Sequence, residues 1–104
     1  MKIQFNTDKN VNASKELSVM VTAFLSEELR RFNYQITKLE VHLSDEDGPK
    51  KGHNDKRCML EARLEGMQPI AVTDYANTHE QALIGATDKL KSSLETILGR
   101  LRNY

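Results

Sequence analysis

The sequence has 104 residues, and its 15 lysines and arginines are balanced by 15 aspartates and glutamates. That length suits one ordinary domain, able to bury a core without disulfides or metal, and leaves no room for two. The neutral balance excludes the strongly basic composition of a general nucleic-acid binder, so any such role has to come from local clustering. The single cysteine, Cys58, rules out an internal disulfide and fits a reducing compartment. Met1 to Asn6 has no apolar signal region, and no apolar run approaches the length of a membrane span. A soluble, cytoplasmic protein that does not engage a membrane is the expectation.

Met1 to Thr7 alternates, with Ile3 and Phe5 on one side and Lys2, Gln4 and Asn6 on the other, and so predicts a half-buried strand. After the polar turn at 7–10, Asn12 or Ser14 can cap a first helix running to about Arg31. Its apolar face is Leu17, Met20, Val21, Phe24, Leu25 and Leu29, and Arg30 and Arg31 fall in the last turn, where positive charge suits the helix dipole. Ile36 to Ser44 predicts a second strand, with Leu39, Val41 and Leu43 opposite Lys38, Glu40 and His42. The polar, glycine-containing stretch from Asp45 to Asp55 predicts a mobile hairpin loop.

A third strand, Lys56 to Glu65, places Cys58, Leu60, Ala62 and Leu64 inward and Arg57, Met59, Glu61, Arg63 and Glu65 outward. A tight turn around Gly66 leads into a fourth, from Gln68 to about Ala76, with Ile70 and Val72 inward. Pro69 cannot donate to a ladder, so this strand belongs at an edge. The order is β-α-β-β-β-α. A right-handed crossover makes strands one and two parallel, the others form an antiparallel meander, and two helices pack on one face of a four-stranded mixed sheet.

Thr78-His79-Glu80-Gln81 is a capping box that starts the last helix. Ala82, Leu83, Ala86, Leu90, Leu94, Ile97, Leu98 and Leu101 share one helical face. At ~100° per residue, Lys89 and Arg100 lie along one edge of that face and Lys91 and Arg102 along the other, with Asp88 and Glu95 near the back. Long basic side chains commonly flank a core and cover it with their methylenes. Four of them together on one helix also make a candidate nucleic-acid face.

Catalytic chemistry is not signalled. The sequence has no glycine-rich phosphate loop, zinc-finger spacing or nucleophile motif, and His42, His53 and His79 belong to three different elements. Cys58 reads as a small buried hydrophobe, and a His53–Cys58 metal pair would lack two ligands. The expectation is a non-enzyme with no metal, no cofactor and no small-molecule substrate.

With the element order in hand, the chain resembles the ribosome hibernation-promoting factors, also called ribosome-associated inhibitors or sigma-54 modulation proteins, in their short form. The resemblance spans essentially the whole chain. It is carried by Glu40-Val41-His42-Leu43-Ser44, Glu61-Ala62-Arg63-Leu64 and Ala71-Val72-Thr73, and above all by Ala82, Ala86, Asp88-Lys89-Leu90 and Leu94. It implies an α+β fold similar to double-stranded RNA-binding domains. It also implies binding to the small ribosomal subunit, to its ribosomal RNA near the decoding region, where occupancy under stress would block mRNA and tRNA. Lys89 and Arg31 match basic positions of the family, whereas Arg30, Lys91, Arg100 and Arg102 join the candidate RNA-binding set on helix geometry. The protein would act as a monomer or weak dimer. A second possibility is a protein-interaction module on the same fold, using the mixed sheet face of Lys38, Glu40, His42, Arg57, Met59, Glu61 and Arg63.

Overall fold

A computed structural model describes residues 1–46 and 55–102, with the side chains of 100–102 outside that description. The order is β1 (Lys2–Thr7), α1 (Lys15–Glu28), β2 (Ile36–Asp45), β3 (Lys56–Leu64), β4 (Ile70–Ala76) and α2 (His79–Arg102). The sheet runs β1-β2-β3-β4, so β4 is an edge strand as Pro69 requires. β1 pairs parallel with β2, whereas β2–β3 and β3–β4 are antiparallel. Most of the loop expected over 45–55 lies outside the described residues. At its feet, the Glu46 amide donates to the Asp55 carbonyl at 2.8 Å.

One row of each strand faces the helices, and there Leu39, Val41, Leu43, Cys58, Leu60 and Ala62 are buried. Val21 and Leu25 of α1 and Ala82, Ala86, Leu90 and Leu94 of α2 close over them. Each fully buried leucine contributes about 1.5–3 kcal/mol relative to exposure. Strict alternation would turn Ile36 to the opposite face from Leu39, yet both are buried. A bulge resolves the conflict: the register shifts between Ile36, opposite Leu64, and Lys38, opposite Arg63. The extra residue, Thr37, donates its hydroxyl to the Arg63 carbonyl at 3.1 Å.

Both helix starts are capped. Ser14 Oγ accepts from the Leu17 amide at 3.0 Å, and Thr78 Oγ1 accepts from the Gln81 amide at 3.1 Å. α1 does not reach Arg31. It ends at Glu28, and Arg30–Phe32 forms a 3-10 turn in which the Phe32 amide donates to the Leu29 carbonyl at 2.9 Å. Tightening the last turn satisfies an otherwise orphaned carbonyl and swings Phe32 into the core. Leu64–Met67 closes the β3–β4 connection, with Gly66 at φ 74, a conformation that favours glycine.

The helix-facing row ends in polar residues. Lys56 Nζ lies 3.0 Å from Asp45 Oδ2 and 3.2 Å from Asp55 Oδ1, and these carboxylates raise its pKa. In β4 the inward position after Val72 is Asp74, which sits under α2 at Gly85. A Cβ at Gly85 would collide with the Asp74 carboxylate, so glycine is what lets Asp74 keep this place under the helix. Among the described residues, no helix is long and apolar enough to cross a membrane.

Candidate nucleic-acid interface

The long helix α2 separates its cations. Positions 89 and 91 are ~200° apart around a helix, so the two lysines serve different neighbours. Lys89 turns to the β4 edge, where Nζ donates to the Thr73 carbonyl at 2.8 Å and to Asp74 Oδ1 at 3.1 Å. Lys91 turns to α1, where Nζ meets Glu28 Oε1 at 2.6 Å. Arg31, in the 3-10 turn after α1, donates to Glu95 of α2 and lies over the Phe32 ring at 4.6 Å. Arg30 stands 3.8 Å from Glu27, both side chains largely exposed. The last turn of α2 carries Arg100 and Arg102, whose side chains lie outside the described residues.

The structure therefore brings Arg31 and Lys91 together at the seam between the end of α1 and α2, leaves Arg30 beside Glu27 at the exposed end of α1, and sets Lys89 apart at the sheet edge. Glu95 is not at the back of the helix. It lies four residues from Lys91, on the same flank, and reaches Arg31. Each of the four described candidate cations has a carboxylate partner, and three of those partners, Glu28, Asp74 and Glu95, come from a different element from the cation they pair with. Sequence periodicity finds the cations but not these acids. Glu28 is 63 residues from Lys91 and Arg31 is 64 from Glu95, so only tertiary docking reveals the pairs.

The outer sheet face is also internally paired. Lys38 lies 3.1 Å from Glu40, and Arg63 lies 3.5 Å from Glu61. Glu40 and Glu61 are directly opposite across β2 and β3, and the Lys38 ammonium is the main reason the Glu40 carboxyl stays below its usual range. Among the described residues, no three His, Cys, Asp or Glu side chains converge to hold a metal ion. Cys58 is fully buried, and burial, with the Asp74 carboxylate nearby, pushes its thiol up to about 12. His53 lies outside the described residues.

Element order, sheet order and helix placement define a small α+β protein with two helices on one face of a four-stranded mixed sheet. A ribosomal subunit interface protein from Coxiella burnetii is 16% identical and has a TM-score of 0.75, over 95% of this chain and 99% of that one. The N-terminal domain of Protein Y from Thermus thermophilus is 18% identical with a TM-score of 0.72, over 93% and 99%. No curated protein sequence is significantly similar. The chain belongs to the family described as Sigma 54 modulation protein / S30EA ribosomal protein, whose model matches residues 5–102. Members of that family are non-enzymatic, ribosome-associated factors.

Proposed function

We propose that this protein is a cytoplasmic hibernation factor that binds ribosomal RNA of the small subunit near the decoding region and keeps mRNA and tRNA from their sites under stress. Residues 1–104 act as one such domain, as a monomer or weak dimer, by occupancy and without cofactor. The observation that carries the reading is the family match over nearly the whole chain. Arg30, Arg31, Lys89, Lys91, Arg100 and Arg102 are the proposed phosphate contacts, which fix position on RNA without reading its sequence. The mutual pairing of the described cations favours a modest affinity, because phosphate has to compete with carboxylates already in place, and the phosphate contacts make that affinity fall with salt by releasing counterions.

The test is sucrose-gradient sedimentation with purified bacterial ribosomes at low and moderate salt. The protein should travel with the small subunit and leave it as salt rises. Replacing Arg31, Lys91, Arg100 and Arg102 by glutamine should remove it from the subunit with its circular dichroism unchanged. A wild-type protein that stays at the top of the gradient at low salt would overturn the reading. Capture of one protein partner and no ribosomal RNA would then favour the interaction module on the outer sheet face.

A further inference from the structure

Among the described residues, the most exposed large hydrophobic side chain is that of Tyr34, at 95%. A lone exposed aromatic needs no explanation. Tyr34 differs in its surroundings. It lines a cleft of about 260 Å³ with Gln35, Leu64, Glu65, Met67 and Leu98. Gln35 and Leu98 also line a second cleft, of about 230 Å³, together with Arg31, Phe32 and Glu95. The exposed guanidinium of Arg30 precedes this ring by four residues, and Gly99 of the second cleft leads into the turn that carries Arg100 and Arg102.

A flat ring open to water, with apolar Leu98 and Met67 in its cleft and Arg31 in the cleft that shares Gln35 and Leu98 with it, has the make-up of a site for an unstacked base. Phosphate contacts alone have no use for the ring. The amide of Gln35 and the carboxylate of Glu65 are hydrogen-bonding groups for a base edge, the carboxylate accepting from donors such as the exocyclic amine of adenine.

We propose that Tyr34 is a stacking platform for an unpaired RNA base, with Arg30 and Arg31 holding the adjoining phosphates and Gln35 and Glu65 meeting the base edge. The inference rests on the ribosomal RNA reading above and assigns a base contact within it.

The sequence contains no tryptophan, so Tyr34→Trp introduces a single reporter at an exposed position that the core does not use. A short single-stranded oligoadenylate at low salt should quench its fluorescence, and an abasic strand of the same length should not. Tyr34→Ala should weaken oligoadenylate binding roughly 5- to 150-fold, the usual worth of one stacked base. Tyr34→Phe should bind like the wild type. The salt dependence should be the same for Tyr34→Ala and wild type, because stacking releases no counterions, whereas Arg31→Gln should flatten it. No quenching by oligoadenylate, equal quenching by the abasic strand, or undiminished binding by Tyr34→Ala overturns the proposal. Wild-type protein that sediments with small subunits no better than Tyr34→Ala leaves the ribosomal reading standing and removes this one. Wild-type protein that fails to sediment removes both.

Discussion

Replacing Glu28 and Glu95 together by glutamine should tighten binding to the small subunit. Glu28 holds Lys91 at 2.6 Å and Glu95 holds Arg31, all four side chains between about a quarter and two-thirds exposed. A phosphate that docks on either cation comes within about 8 Å of the carboxylate already there, and in water that repulsion is about 0.5 kcal/mol. Removing two carboxylates therefore gains about 1 kcal/mol, or roughly fivefold in affinity. Each exposed pair contributes only ~0.2–1 kcal/mol to folding, so the variant remains folded. Sedimentation titrations at low and moderate salt would measure the change, with circular dichroism as the check on structure. The control is the pair Glu16→Gln and Glu80→Gln, in the first turns of α1 and α2, which changes net charge equally at the far end of both helices. Unchanged or weaker binding by the folded Glu28/Glu95 variant would refute the argument, and equal tightening by the control would show that net charge alone matters.

Gly85→Ala should destabilise the wild type, because Asp74 must move and release Lys89, yet in an Asp74→Ala background it should stabilise by about 0.5–1 kcal/mol through helix propensity. Urea unfolding of the four proteins checks this, and equal effects in both backgrounds would refute it. Burial, then Lys56, lowers the pKa of His79, against the pull of Asp45, Asp8 and Asp55. The unfolded chain therefore takes up a proton near pH 6.5 that the folded protein resists, and stability falls on acidification through that window. His79→Gln should flatten the stability profile between about pH 7 and 5, and a profile superimposing on the wild type would exclude the histidine as the cause. With its thiol pushed up to about 12 and its side chain fully buried, Cys58 should react with a thiol reagent at pH ~8 only at the rate of opening. Labelling as fast as in urea would contradict that burial.

The strands were legible because each has one apolar side and the alternation is nearly unbroken. The exception carried its own signal: Ile36 and Leu39 are apolar and three apart within one strand, a spacing that a bulge accommodates and strict alternation does not. The end of α1 was harder. Leu29 continues the helical face, so periodicity runs on to Arg31, and only the packing of Phe32 decides that the chain tightens into a 3-10 turn instead. Asp74 sits at an inward strand position where a polar residue looks like an error. Its meaning depends on Gly85 and Lys89, which a reading of either element alone keeps apart. Tyr34 lies in the connection between α1 and β2, outside any periodic segment, and nothing local foretells that its ring stays in water.

Lys89 and Lys91 lie on opposite flanks of α2, but flank and function are different matters. The Lys91–Glu28 and Arg31–Glu95 pairs both bridge α1 and α2, so the groups proposed to meet phosphate also join the two helices. Because all four side chains are at least partly in water, exchanging a carboxylate for a phosphate trades one screened ion pair for another and costs little desolvation. A neutral protein can on this basis engage a polyanion without a standing basic patch: the cations are released at the moment of contact, and each carboxylate left behind limits how tightly the complex holds. Such a surface favours reversible occupancy that ionic strength or a competing RNA can undo.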